Sequence, residues 1–526
     1  VIDRRLAAID IGTNSIRCIM VEVPPDSEFR VLDDEKATVR LGEGMSATGE
    51  ISAAAWQRAR EALARMKKIA DGLGVKTVVA VATSAVRKAA NGQAFVEAMA
   101  AETGIRIQII GGEEEAELAA LSAWHHFDME TARYALVDIG GGSAEVVTAV
   151  GSHIEDIGSF ELGAIYLTEK FLGQDPIPEN DIRRMRAHIR KVLQKNLTEN
   201  GHVVQCLIGS GGTLNAIGNM IMGMREEQYG SVHGYEVLRS EVVHLLAMLQ
   251  RKNLKERKTL AGLSPERAEI IVAGVAVVDE LMRFFGTNIL KINERGIREG
   301  LILKSLEKYG FLDRRKQVRD WETAVRTFAG SCHVDLVHGE QVRTLAVRIF
   351  DELAAYGGKG SGLSPRNRQI LEAAALLHDV GYFIDYAKHH KHSYHLIRHA
   401  NLFDFSPRET EIIANLARYH RKSLPKNKHE NFARLNSDDQ ALVRRLGGIL
   451  RLADGLDRRR AGLVKELKCR IDKTQIVLEV AGADDLSVEI YGGQSKGDLL
   501  EQAFDKNLRV VGAVRRQSLA GAVPPR

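Results

Sequence analysis

The chain has 526 residues, 44% of them hydrophobic and 27% charged, the balance of a soluble globular protein with room for about three to four domains. No apolar run approaches the roughly 18–20 residues of a membrane helix, the N-terminus has no signal-peptide-like apolar stretch, and Cys18, Cys206, Cys332 and Cys469 are scattered without a CxxC pair. These features argue against a membrane protein, a disulfide scaffold or a zinc ribbon, and toward a reducing, cytoplasmic setting. The net charge of +4 hides an asymmetry: residues 1–300 carry 35 Lys+Arg against 41 Asp+Glu, residues 301–526 carry 38 against 28. A basic second half suits either a polyanionic partner or a solvated basic surface.

Taken in chain order, residues 1–125 alternate between strand and helix patterns: strands at 6–11 and 16–22, a helix at 53–73, a strand at 77–82, a helix at 92–103, a strand at 106–110 and a helix from 112. A second α/β unit opens at 134–150, continues through a helix at 181–196 and a strand at 203–208, and closes with helices at 265–285 and 296–308. Alternation of this kind implies α/β layers. Residues 307–316 read as a linker. From about 320 to 460 apolar positions recur at helical spacing (342–356, 367–379, 407–419, 439–456). After 464 the pattern turns to strand-like alternation at 468–472, 476–480 and 486–490, and 515–526 reads as loosely ordered. The expected domains are therefore 1–125, 126–306, 307–462 and 463–526.

One motif occurs twice. Asp10-Ile-Gly-Thr-Asn-Ser-Ile-Arg17 returns 128 positions later as Asp138-Ile-Gly-Gly-Gly-Ser-Ala-Glu145, each copy lying between two apolar strand-like runs. Gly- and hydroxyl-rich turns of this type point backbone N–H groups into a concavity that holds phosphate oxygens. Two facing each other make a phosphate clamp, and a carboxylate from each can share a divalent cation. A third glycine turn, Gly209-Ser-Gly-Gly-Thr213, follows another apolar strand and precedes a helix, a ready anion site.

These three turns resemble the phosphate motifs of the actin/Hsp70/sugar-kinase superfamily of duplicated ribonuclease-H-like domains. Within it the chain resembles the exopolyphosphatase/guanosine pentaphosphate phosphohydrolase family, through Asp10–Arg17, Ala82–Arg87, Gly111–Ala116, Asp138–Glu145 and Glu266–Ile271. The resemblance spans roughly 5–305 and continues more loosely into a helical region like an HD-type domain. The implied fold is α/β: two duplicated ribonuclease-H-like domains (an actin-like ATPase fold), an all-helical HD-type domain and a small α+β tail.

The resemblance implies roles. Glu115 would be the catalytic base, with Arg17 and Arg87 holding the terminal phosphoryl group. Gly12, Thr13, Asn14, Ser15, Gly140, Gly141, Gly142, Ser143, Gly209, Ser210, Gly211, Gly212 and Thr213 would cradle phosphates. Asp10, Asp138 and Glu145 would hold Mg²⁺ directly or through water. Competing bland readings are a salt bridge of Arg17 to Glu145, turn capping by the two aspartates, and helix-dipole pairing by Glu113–Glu115, worth about 0.3–1 kcal/mol each. In the helical region His338, His378, Asp379 and Asp454, with His392 and His420 nearby, resemble an HD-type site for a second divalent or transition metal. The basic segment 388–399, with Arg418, Arg421, Lys422 and Arg458–Arg460, suits a polyphosphate channel, metal ligation or plain surface.

The implied activity is release of orthophosphate from the end of inorganic polyphosphate. The 5′ γ-phosphate of guanosine pentaphosphate (pppGpp) suits the same machinery, and the motifs do not separate the two. A kinase-like phosphotransferase and a non-catalytic polyphosphate or (p)ppGpp sensor are the readings from other classes. Without aromatic-interleaved basic stretches, nucleic acid is not an expected partner, nor is a membrane. Apolar helices in the second half are compatible with a homodimer.

Overall fold

The structure, a computed structural model, describes residues 4–24, 29–129, 132–197, 203–312, 320–357, 362–482 and 484–513. Residues 313–316 of the expected linker and the 515–526 tail lie outside the described residues. Two compact units divide the chain, 1–319 and 320–526. No helix among the described residues is long and apolar enough to cross a membrane.

The first unit contains the same sheet twice. Strands β1 (Arg5–Ile11), β2 (Ser15–Glu22), β3 (Arg30–Thr38), β4 (Thr77–Ala82) and β5 (Ile107–Ile109) lie in the order β3-β2-β1-β4-β5. Strands β6 (Arg133–Ile139), β7 (Ala144–Val150), β8 (His153–Phe160), β9 (Cys206–Ser210), β10 (Glu236–Leu238) and β11 (Ile289–Asn293) form the second, ordered β8-β7-β6-β9-β11-β10. In both, three antiparallel strands run into two parallel ones. The copies share detail as well as topology. A register irregularity at Met20/Val21 in β2 reappears at Thr148/Ala149 in β7, the same 128-residue offset as the motif.

Central strands β1, β6 and β7 are buried almost throughout, as expected where layers cover both faces of a sheet. The edge strands β3 and β8 escaped the sequence reading because half-exposed, charged stretches such as Asp33-Asp34-Glu35-Lys36 carry no apolar alternation. The predicted helix at 265–285 is shorter than expected: a 3₁₀ turn at Pro265–Arg267 precedes the helix Ile271–Phe284.

Helix Gly112–His126 lies between the two sheets. Leu118, Ala119 and Leu121 pack with Leu6, Ala8 and Ile19 of the first. Ala116, Ala120 and Ala123 pack with Tyr134, Leu136 and Val147 of the second. The closing helix Ile297–Lys308 returns to the first sheet and crosses Gly112–His126 so closely that a Cβ on Gly300 would lie 1.9 Å from the Leu118 carbonyl oxygen.

The second unit packs helices Trp321–Ser331, Leu336–Gly357, Pro365–Leu377, His389–Arg398, Pro407–Tyr419 and Ser437–Gly455 against a sheet of β12 (Glu466–Ile471), β13 (Gln475–Ala481) and β14 (Asn507–Gly512). Leu345, Leu371, Ile413 and Ile449 of the helices share one core with Leu478, Val480 and Leu508 of the sheet. The change of pattern near 464 thus marks a change of element within a single core. The alternating run at 486–490 is not a strand but opens the helix Ser487–Ser495. Asp485 accepts hydrogen bonds from the Ser487 backbone and hydroxyl, and Glu489 pairs with Arg459, local chemistry that outweighs a five-residue alternation.

Candidate active site

Asp10 and Asp138 stand at the ends of β1 and β6, each one residue before its turn begins to leave the sheet. Each turn is closed by the same backbone bond, Gly12 N–H to Ser15 O at 3.1 Å and Gly140 N–H to Ser143 O at 3.0 Å. Across the hairpin, Asp10 faces Arg17 and Asp138 faces Glu145. The two turns meet: a Cβ on Gly141 would lie 2.9 Å from Thr13 Cβ. Between them opens a cleft lined by Gly12–Ser15, Gly140, Gly141 and Ser143, by Asp10, Arg17, Glu115 and Asp138, and by Gly211–Thr213. Gly211 has φ +93° and ψ 167°, a conformation essentially restricted to glycine, and leads into helix Gly212–Met224, whose N-terminus faces the cleft.

The carboxylates form one buried group. Asp138 accepts a hydrogen bond from Ser210 Oγ (3.0 Å) and Glu145 accepts one from Ser159 Oγ (2.7 Å). Asp10 Oδ1 and Glu145 Oε2 are buried without a hydrogen-bond partner. Burial lifts Asp10 to about 6, Arg17 opposing and Asp138 adding to the shift. Burial likewise lifts Glu145 to about 7, against hydrogen bonds from Ser143 and Ser159. Two orphaned carboxylate oxygens within a group of acids that resist ionisation fit a divalent cation, with oxygen donors of the kind Mg²⁺ takes.

Glu115 sits in the first turn of Gly112–His126 and is only 4% exposed. Burial first, then the neighbouring Glu145, raises its carboxyl well above the usual range, with Arg87 pulling the other way. Arg87 Nη1 donates to Glu115 Oε2 (3.2 Å) and to the Ile110 carbonyl (2.7 Å). Its neighbours in sequence differ: Glu113 is exposed, and Glu114 pairs with Lys304 at 2.9 Å.

Arg17 makes no ion pair with Glu145 among the described residues; Glu145 turns toward Ser159. Burial, and then the adjacent Arg298, lower the Arg17 pKa, and burial with Arg17 brings Arg267 down to about 10. Guanidinium groups crowded this way create a local demand for an anion. Arg267, Arg295 and Arg298 line the cleft and were absent from the predicted site. Arg267 lies in the Glu266–Ile271 string, and Arg295 and Arg298 flank Gly296, which leads into helix Ile297–Lys308. Gly209 lies inside β9, packed against Leu214 and Leu290, and shapes the third turn from behind.

Comparison with known proteins matches these features to one family. The Ppx/GppA phosphatase family matches residues 19–309, and Ppx/GppA phosphatase, domain III, matches residues 318–488. The chain belongs to the Ppx/GppA phosphatase family. A solved exopolyphosphatase from Cytophaga hutchinsonii is 28% identical over 58% of this chain and 98% of its own, with a TM-score of 0.55. A Ppx/GppA family member from Aquifex aeolicus is 26% identical over the same shares, with a TM-score of 0.51. A third structure, an exopolyphosphatase-like protein, shares the fold at 24% identity and a TM-score of 0.54. These three structures thus align over nearly their whole length with little more than half of this chain.

In the second unit of this Ppx/GppA chain, His338, His378 and Asp454 offer ligand atoms within 4.8 Å of one another, as do Asp379, His389 and His420. His420 therefore joins the predicted set, and His389 takes the place expected for His392. Arg421, Lys422, Arg458 and Arg460 line the same cavity.

Proposed function

We propose that this Ppx/GppA phosphatase is an exopolyphosphatase that hydrolyses the terminal phosphoanhydride of inorganic polyphosphate in the cleft of its first unit. The observation that carries the reading is the pairing of one shielded base, Glu115, with a cleft whose two phosphate turns face each other among crowded arginines. Phosphoryl transfer needs positioning, charge neutralisation and an oriented nucleophile more than covalent help from the protein.

In this mechanism the glycine turns and the N-terminus of helix Gly212–Met224 receive the non-bridging oxygens of the terminal phosphoryl group. Arg17 binds that group, and Arg267, Arg295 and Arg298 supply charge for the next residues of the chain. Glu115 accepts a proton from water as the water oxygen bonds to phosphorus. The bridging P–O bond breaks, and the shortened chain departs as an anion stable enough to need no strong acid. Arg87 holds Glu115 in place, and a phosphoryl oxygen arriving nearby competes for its guanidinium. Mg²⁺, held by Asp10, Asp138 and Glu145, would neutralise charge building on the phosphoryl oxygens.

The test is phosphate release by the purified chain from long-chain polyphosphate, with Mg²⁺ and with EDTA, beside pppGpp. Mg²⁺-dependent release with higher kcat/KM on polyphosphate is expected. A markedly higher kcat/KM on pppGpp would transfer the assignment to pppGpp 5′-phosphohydrolysis, and release from neither would remove it.

A further inference from the structure

The two copies of the sheet differ at one matched place. Met20 faces Ala7 in the first and Thr148 faces Ala135 in the second, at the same 128-residue offset. The register irregularity beside each leaves one extra residue in the edge strand, Leu32 between Val31 and Asp33 in β3 and Glu155 between Ile154 and Asp156 in β8. In the first sheet Met20 is fully buried and Leu32 packs against the same core. In the second, Thr148 and Glu155 stand in those two places and line a cavity of about 470 Å³. Helices Glu179–Asn196 and Ile271–Phe284 close it with Arg190, Leu193, Glu280 and Phe284. Protein interiors are packed as densely as organic crystals, and a space of this volume is in the range of small-molecule sites.

The lining carries both signs of charge beside an apolar wall. Glu280 is 1% exposed. Its Oε1 accepts from Arg186 Nε at 2.6 Å, while Oε2 is buried without a hydrogen-bond partner. Arg190 Nε stands 3.8 Å from Oε2, an ion pair too long to be a hydrogen bond. An unmade bond on a buried carboxylate is costly, and a donor from outside removes that cost. Glu155 is held by Arg133, and Asp156 and Arg283 add one charge of each sign to the lining. A simple cation here meets two arginines and a simple anion meets three acids. A zwitterion with an apolar body satisfies both signs and covers Leu193 and Phe284.

We infer that this cavity binds a free α-amino acid with a large apolar side chain. The ammonium donates to Glu280 Oε2, the carboxylate accepts from Arg190, and the side chain lies against Leu193 and Phe284. An α-amino acid carries its two charged groups on one carbon, which suits an acid and an arginine that face each other without bonding. The cavity shares no lining residue with the cleft, so its occupancy is read without reference to the phosphate substrate.

Isothermal titration calorimetry of the full chain with L-leucine tests the inference, and one equivalent is expected to bind. Isocaproate, which lacks the ammonium of leucine, and isoamylamine, which lacks its carboxylate, should each bind at least ~10-fold more weakly, the scale of one charge-assisted hydrogen bond. Arg190→Met should weaken leucine by the same factor and leave isoamylamine unchanged. The double variant Thr148→Met/Glu155→Leu, which gives the second sheet the side chains of the first, should abolish leucine binding without lowering Tm. No binding of leucine, equal binding of leucine and either single-charge analogue, or undiminished leucine binding in either variant would overturn the inference.

Discussion

At the scale of single residues, the cleft is a set of acids held back from ionising. Asp10 at about 6 and Glu145 at about 7 both hold protons more tightly folded than in an unfolded chain, where they titrate near about 4. Their contribution to stability is therefore present at low pH and is lost as pH rises from about 4 to about 7. A bound divalent cation favours the ionised forms, so it should restore stability at the alkaline end. The expected outcome is a Mg²⁺-induced rise in Tm that is small at pH 5 and grows through pH 6–8; a rise independent of pH would contradict the assignment of these carboxylates to the cation. None of this was readable from residue types. The sequence located Asp10, Asp138, Glu145 and Glu115 by repeat and resemblance, but their mutual coupling depends on β1–β2, β6–β7 and Gly112–His126 meeting. Arg295 and Arg298 went unread because an arginine beside a lone glycine is too common a pattern to single out.

At the scale of elements, the site depends on a third turn whose backbone only glycine can follow. Gly211 is the sharpest case, since its φ of +93° and ψ of 167° would cost another residue about 1–3 kcal/mol. A Cβ there would also lie 2.7 Å from Asp138 Oδ1. Gly211→Ala should lower Tm and raise the Mg²⁺ concentration needed for half-maximal activity, while Gly173→Ala, with nothing within 4 Å of its added carbon, should do neither. Equal behaviour of the two variants would mean that the third turn does not shape the cation site. Strands β1, β2, β4, β6, β7 and β9 and the longer helices with an apolar stripe were legible from periodicity, whereas β11 and the helices Ala164–Phe171 and Arg239–Gln250 were not read. The edge strands β3 and β8 were not, because their pairing comes from a neighbour rather than from their own composition. The 486–490 run shows the converse, since alternation over five residues fits a helix turn that packs on a core.

At the scale of the whole molecule, the first unit has hydrophobic clusters of its own, built among the described residues from side chains between Leu6 and Leu312. A chain ending at Leu312 is expected to fold cooperatively and to keep Mg²⁺-dependent hydrolysis of short polyphosphates at a kcat within a few-fold of the full chain. Failure to fold, or loss of that activity, would show that the second unit completes the catalytic machinery. The duplication was legible in the sequence because the motif recurs at a 128-residue offset, while the matching register irregularity emerged only from the strand pairing. The return of Ile297–Lys308 to the first sheet was not, since nothing in a helical stripe says which sheet it will cover.

The most direct test of the central claim is phosphate release from long-chain polyphosphate by Glu115→Gln beside the unaltered chain. Burial and Glu145 disfavour a charged Glu115, so the neutral amide should leave Tm unchanged or raise it, and a loss of activity cannot then be ascribed to unfolding. The account predicts a fall in kcat of at least ~10²-fold, the scale expected when a positioned base is removed. Activity within a few-fold of the unaltered chain would contradict it and place the chemistry elsewhere.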